Sequence, residues 1–362
     1  MNYVAVPLIA AGAVVSACDK DFRRLRNGYV PQFRHHYDDY LQYAPAAVLV
    51  GMKACGVESR SSWGRMLVSD AFSAGIMALA VNSLKYSCRV MRPDGSSRNS
   101  FPSGHTATAF MTATMLHKEY GHLSPWISIG AYGVAAVTGV SRQLNDKHWM
   151  SDVMVGAGVG ILATELGYFL ADLIFRERGL HVREQTVLYD RYRRPSFVSF
   201  AMGAAVAPGG YELPGGSRLT LRSGPMASIS GAGFLSPYFG LGGRLSVGDM
   251  EMAVDGESQG RSLRYASVLG GIYGSWPFSG RWLSGARLLC GCGFRRNERS
   301  ERFPAERQDG FALAAGLSTT FLATQHLGVR FSADYDCAPP PLSGSDKRLH
   351  IATFSLEACA VF

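Results

Sequence analysis

No cluster of Lys and Arg of the kind that grips a nucleic-acid backbone occurs in this 362-residue chain. The densest stretch, FRRLRN at 22–27, is short and interrupted. Nucleic acid is therefore set aside as a partner. The formal net charge of +8 still favours an anionic partner such as phosphate or an acidic membrane surface. Paired cysteines are missing too. Cys18, Cys55, Cys88, Cys290, Cys292, Cys337 and Cys359 are odd in number and scattered, with no CxxC. That pattern builds neither a zinc site nor a disulfide framework. Cys290 and Cys292, two apart, would share one strand face as small apolar fillers. No basic residue precedes the apolar opening MNYVAVPLIAAGAVVSACDKDF, whereas a secretory signal needs a positive start. The same lack counts against VSAC, ending at Cys18, as a lipoprotein cleavage box. Residues 1–30 are expected to form a first helix, or the remnant of a signal or anchor.

Long apolar runs free of charge are scarce as well. The stretches 67–87, 105–121, 125–141 and 149–175 are rich in Ala, Leu, Met and Val, lack internal proline and have helical length. Most are interrupted by a charge, as at Asp70, Lys85, Asp152 and Glu165; only Gly121–Ser141 avoids Asp, Glu, Lys and Arg over a near-spanning length. A bilayer helix wants about 20 mainly apolar residues. These helices are expected to be buried in protein or to lie at a membrane surface.

What the chain has in abundance is glycine, 42 residues, and a change of period halfway along. From residue 196 the pattern alternates. In FALAAGLSTTF (311–321), Phe311, Leu313, Leu317 and Phe321 share one face and small or polar residues the other. WLSGARLLCGCGF (282–294) sets Leu288 and Phe294 against Arg287 among glycines, and LGVRFSADY (327–335) sets Phe331 and Tyr335 against Arg330 and Asp334. About eight such runs occur, an even number, as in outer-membrane barrels with their outward apolar faces and aromatic girdles. A soluble β-sandwich also alternates, but it would put Arg287, Arg330 and Asp334 in its core, where a wet barrel lumen accommodates them. The ending FSLEACAVF, alternating Phe354, Leu356, Ala358, Ala360 and Phe362, resembles the C-terminal strand by which bacterial outer-membrane barrels are recognised for assembly. An α+β multidomain chain follows, with an apolar segment at 1–30, a helical domain at 31–185, a linker at 186–195 and an antiparallel β-barrel at 196–362.

Three stretches of the helical half carry chemistry. KYSCRVMRP puts Lys85 and Arg92 seven residues apart, two helical turns, before Pro93 ends the helix. PSGH places Ser103 and Gly104 at a loop-to-helix junction, where free backbone N–H groups attract anions. SRQLNDKHWMSD adds Arg142, whose fork suits phosphate oxygens, and sets His148 and Asp152 at i and i+4, one above the other on a helix face. Each piece has an ordinary alternative: Lys85 and Arg92 as a solvated face, Ser103 as a simple N-cap, His105 as a satisfied core histidine. Together they supply three cations, anion-seeking backbone and two histidines among apolar helices. His35 and His36, beside Asp38 and Asp39, could ligate a metal but read better as a polar loop. His117, His122, His181, His326 and His350 fall at element ends and need no special role.

The ordered set K-x6-RP, PSGH and SR-x5-H-x3-D resembles the type 2 phosphatidic acid phosphatase superfamily, which also includes bacterial acid phosphatases and vanadium haloperoxidases. The resemblance spans roughly residues 60–180 and leaves out the β-rich half. It implies a helical bundle and hydrolysis of a phosphate ester without metal or other cofactor. By position, it implies that His148 attacks phosphorus, Asp152 orients His148 and His105 protonates the leaving alcohol. Lys85, Arg92, Ser103, Gly104 and Arg142 would bind the phosphoryl oxygens. The expected substrate is a phosphorylated membrane lipid. The expected location is the bacterial outer membrane, with the catalytic domain on its periplasmic side. A non-specific periplasmic acid phosphatase, a vanadate-dependent haloperoxidase and a pore or adhesin with a structural helical part are the alternatives. The sequence carries no signal for an oligomeric state.

Overall fold

The computed structural model describes residues 4–182, 194–212, 216–297, 307–322, 327–341 and 347–361. His326, Phe362 and most of the expected 186–195 linker lie outside the described residues. The chain divides into two compact units, one up to Thr186 and one from Val187.

The first unit is helical. Its helices are α1 (Ala5–Val15), α2 (Asp19–Tyr29), α3 (Asp38–Leu41), α4 (Ala44–Ala54), α5 (Trp63–Cys88), α6 (Gly104–Tyr120), α7 (Pro125–Leu144) and α8 (Met150–Phe175). α8 runs through the middle, packed against α1, α5 and α6. Glycine makes that packing close. A Cβ on Gly156 would stand 2.6 Å from the Ser103 carbonyl oxygen, and one on Gly160 would stand 2.2 Å from that of Ala107. Both distances are shorter than any real contact, so only bare glycine lets the α8 backbone approach α6 there. Met66, Ala109, Ala113, Tyr120, Ala135 and Tyr168 fill the core around this seam.

α5 and α8 are each long and apolar enough to cross a bilayer. They differ in surroundings. Of the most apolar 18 residues of each, 72% are buried in α8 but only 17% in α5. α8 thus matches the expectation of a protein-buried helix, while α5 turns Leu67, Leu79 and Tyr86 outward.

The second unit is an inside-out structure. Eight long strands close into an antiparallel ring: β1 (Phe197–Val206), β4 (Gly224–Phe234), β5 (Phe239–Val254), β6 (Glu257–Pro277), β7 (Trp282–Asn297), β8 (Arg307–Leu322), β9 (Leu327–Ala338) and β10 (Leu349–Val361). β10 pairs back onto β1, from Phe197 opposite Val361 to Val206 opposite Ala352. Two short strands, β2 (Gly210–Glu212) and β3 (Arg218–Leu221), extend from β5. β5 and β6 meet in a two-residue turn at Asp255 and Gly256, both with positive φ (50° and 87°), the geometry that suits a twisted hairpin.

The alternation read from the sequence sorts side chains as a membrane barrel requires. Phe200, Leu245, Ile272, Leu288, Leu317, Phe331 and Phe354 face outward and are exposed. Inside, Arg287 donates to both oxygens of Asp334 (2.6 and 2.5 Å) and reaches Glu357 at 3.3 Å. Arg244 bonds Asp336 and lies 3.3 Å from Asp334, and Arg330 lies 3.6 Å from Glu357. Eight strands enclose just enough room for side chains, and this charged ladder shares it with buried apolar clusters, one including Met250 and Leu263 and the other Phe197 and Tyr273. Gly316 makes space for the central pair, since a Cβ there would collide with Asp334.

Two losses of stability follow. Gly160→Val should destabilise the helical unit by about 1–3 kcal/mol or more, read as a lower unfolding temperature, because it wedges α6 from α8. Arg287→Met should cost the barrel about 1–3 kcal/mol, since it removes both short hydrogen bonds to the buried Asp334 and leaves that carboxylate to Arg244 at 3.3 Å; denaturant unfolding of the variant in detergent measures it.

Candidate active site

The start of α8 organises the site. Asp152 sits in its first turn and reaches back to accept from the Trp149 backbone N–H at 2.9 Å. The same oxygen, Oδ2, accepts from the Ser100 hydroxyl and faces His148 Nδ1 at 3.5 Å, a contact longer than a full hydrogen bond. The His148 and Asp152 side chains are almost fully buried. The i, i+4 spacing thus brings the pair together for a different reason from the one the sequence offers. His148 precedes the helix, which begins at Met150, and it is the first-turn carboxylate folding back over the N-terminus that meets the ring. The ring nitrogen turned from Asp152 is Nε2.

The start of α6 is tied to the same place. The Ser103 N–H donates to the Asp152 carbonyl oxygen at 3.0 Å. Ser103 caps α6, its Oγ accepting from the Thr106 N–H (3.4 Å) and the Thr106 hydroxyl (2.9 Å). The N-cap alternative therefore describes its present contacts. A Cβ on Gly104 would lie 3.9 Å from Lys85 Cε, so the Lys85 side chain runs beside the first turn of α6.

Lys85 and Arg92 do not share a helix. α5 ends at Cys88, where Arg89 takes a left-handed conformation (φ 47°) and turns the chain before Pro93 is reached. Arg92 therefore lies in the following loop. What gathers the two cations is Asn99, whose carbonyl oxygen accepts from Lys85 Nζ at 2.7 Å and whose Oδ1 accepts from Arg92 Nε at 3.0 Å.

Arg142, near the end of α7, points to two acids from α3. Its NH1 donates to Asp38 Oδ2 at 2.8 Å and to Asp39 Oδ1 at 3.3 Å. His105 Nε2 meets that same Asp39 oxygen at 2.9 Å. The FRHHYDDY stretch is thus more than a polar loop. Its two acids enter the site while His36 stays outside, 3.9 Å from Asp39.

The charges bear on one another. Arg142 acts on Lys85, on Arg92 and on both histidines. Burial, with Arg142 and Lys85 adding to it, pushes His148 down to about 4 against the pull of Asp152. Burial and the Arg142 charge lower His105, while Asp39 and Asp38 oppose them. Cations so placed repel one another, and an oxyanion among them would relieve that repulsion.

Sequence reasoning missed four participants. Ser100 and Asn99 are ordinary loop residues by type. Asp38 and Asp39 were visible as an acidic pair, but their approach to Arg142 depends on a chain separation of more than 100 residues. His117 bonds Ser128 and His181 bonds the Ser59 carbonyl oxygen, neither joining this cluster, and in the second unit His350 bonds Tyr335.

Residues 66–172 match the model of the PAP2 superfamily, and the chain carries a PAP2 superfamily domain there. Over 174 residues it is 48% identical to a lipid A 1-phosphatase of Porphyromonas gingivalis. That match covers 48% of this chain and 39% of the relative, so the chain spans well under half of the curated protein it matches. The crystal structure of Aquifex aeolicus LpxE is 23% identical, with 42% of this chain and 94% of that one covered and a TM-score of 0.32. Neisserial surface protein A (NspA) is 10% identical, with 48% and 98% covered and a TM-score of 0.34.

The His148 imidazole should stay neutral as pH falls from 8 and take up a proton only near 4. Asp152→Asn should lower that value further by removing the carboxylate that favours the cation. Histidine NMR titration of the full chain checks both, and a His148 signal already protonated at pH 6 contradicts them.

Proposed function

We propose that this protein hydrolyses a phosphate monoester of a membrane lipid through a phosphohistidine on His148. The observation that carries this reading is the convergence, in a PAP2 superfamily domain, of a carboxylate-backed neutral imidazole with Lys85, Arg92, Arg142 and the mouth of α6. The phosphoryl group in flight spreads negative charge over its equatorial oxygens. Cations and N–H donors fixed in advance lower that barrier. In this reading Lys85, Arg92, Arg142, the Ser103 hydroxyl and the amide at Gly104 hold the oxygens.

Asp152 favours the tautomer with the proton on Nδ1, which leaves the Nε2 lone pair for attack. The Nε2–P bond forms as the P–O ester bond breaks. His105 gives its proton to the departing alkoxide, so no free alkoxide is expelled. His105 then takes a proton from water, whose oxygen attacks phosphorus, breaks the N–P bond and releases inorganic phosphate. The depressed affinity of His148 for protons keeps the nucleophile in its reactive form at neutral pH.

A lipid substrate is favoured by the largely exposed apolar surface of α5 and by the barrel, whose outward residues suit an acyl environment. Among lipids, lipid A bearing a 1-phosphate is the leading candidate, from the name of the Porphyromonas gingivalis relative. The barrel resembles those of outer-membrane proteins, and we assign the catalytic unit to the periplasmic side of that membrane.

The test is phosphate release from lipid A 1-phosphate, phosphatidate, phosphatidylglycerophosphate and undecaprenyl diphosphate by the full chain in detergent. Lipid A should be hydrolysed fastest, and His148→Ala should abolish release while Asp152→Asn reduces it about 10²-fold or more. Undiminished turnover by His148→Ala would dismiss the assignment.

A further inference from the structure

The Asp38–Asp39 pair of α3 is outside the three motifs, yet it holds two of their members. Asp39 Oδ1 sits between His105 Nε2 at 2.9 Å and Arg142 NH1 at 3.3 Å, while the fully buried Asp38 takes the same Arg142 nitrogen at 2.8 Å. A carboxylate accepts only, so the nitrogen it faces on His105 carries the hydrogen. We propose that Asp39 is a positioning residue for the leaving-group proton: it holds His105 by Nε2–H and so directs the transferable proton to Nδ1. This rests on the reading of the site as a phosphatase and adds a residue to it.

The arrangement places one carboxylate behind each histidine. Asp152 faces Nδ1 of His148, and Asp39 faces Nε2 of His105. The environments differ. His148 is enclosed, whereas about a third of the His105 side chain remains exposed and Asp39 is 44% exposed. Burial keeps the first ring neutral, as a nucleophile must be. Burial and Arg142 lower His105 as well, but Asp39 at hydrogen-bond distance in a wetter place opposes them and pulls toward the protonated form that a proton donor needs.

The charged groups that face His105 are Asp39 and Asp38 from α3 and Arg142 from α7. The two acids favour its cation and Arg142 opposes it, so loss of Asp39 should move the proton donor's titration to lower pH. Arg142 is also shared. With Asp39 neutralised, Arg142 keeps only Asp38 as a counter-charge and should bind an oxyanion at least as well. The two effects separate kcat from KM.

Leaving-group chemistry isolates the proton. An alkyl phosphate releases a strongly basic alkoxide and needs the donor, while a phenyl phosphate releases a weakly basic phenoxide and needs it far less. Octyl phosphate and 4-octylphenyl phosphate form a matched pair for the full chain in detergent. Asp39→Asn should lower kcat for octyl phosphate by about 10²-fold and for the aryl ester by less than about threefold, with KM unchanged or lower. The alkaline limb of the octyl phosphate pH profile should shift to lower pH, and Asp39→Glu should restore part of the rate. In a His105→Ala background, Asp39→Asn should lower kcat no further. Equal losses on both esters, no loss on the alkyl ester, or additive losses in the double variant overturn the proposal. If Asp39→Asn does not fold, Asp39→Glu and the exposure-tolerant Asp39→Ser carry the same comparison. Full activity of His148→Ala on these esters would instead remove the underlying phosphatase reading, so the two failures are distinguishable.

Discussion

One carboxylate joins the parts of the helical site. Asp152 accepts through Oδ2 from the Trp149 N–H and from the Ser100 hydroxyl, turns the same oxygen to His148, and takes the Ser103 N–H on its backbone carbonyl. The loop at 97–100, the start of α6 and the start of α8 are thereby held on one residue. A buried carboxylate is costly unless it finds donors; Oδ2 takes one from the 97–100 loop and one from the residue before α8, while the backbone carbonyl of the same residue takes the one from α6. The close seam of α6 with α8, where Gly156 lies against the Ser103 carbonyl, sets the distance over which this works.

The two units solve opposite solvation problems with the same residue types. In the helical unit apolar side chains fill most of the interior, one group of charges converges on the site, and others pair elsewhere, as Arg65 does with Asp172 and Lys118 with Glu165. In the barrel many apolar side chains face out, and the lumen holds a ladder of Arg244, Arg287, Arg330, Asp334, Asp336 and Glu357 beside two buried apolar clusters. Each guanidinium in that ladder has a carboxylate within ion-pair distance, which is how so many charges persist inside eight strands. Glycine serves both units by removing a Cβ where something else must fit: a neighbouring helix at Gly160, an ion pair at Gly316.

The strongly periodic features were legible because they repeat. The helices at 67–87, 105–121, 125–141 and 149–175 and the alternating strands correspond to elements of the structure within a few residues. Arg287, Arg330 and Asp334 were correctly set on the inner face, since a period of two leaves no other choice. Where local rules competed, the reading slipped. Pro93 was expected to end α5, but the left-handed Arg89 ends it first and moves Arg92 into a loop. His148 and Asp152 were read as a helical i, i+4 pair and are a loop residue and a first-turn acid. Of the two settings expected for α5, burial in protein and lying at a membrane surface, the first is not found, since its apolar length is mostly open.

The sequence by itself determined the two periods, the order of the basic and histidine motifs, and the inward charges of the strands, because each is encoded by near neighbours along the chain. Tertiary structure alone decided that β10 closes onto β1, that Asn99 gathers Lys85 and Arg92, and that Asp38 and Asp39 stand behind Arg142 and His105. Those contacts join segments with no shared periodicity. They are fixed by the docking of whole elements and by the need of each buried charge for a partner.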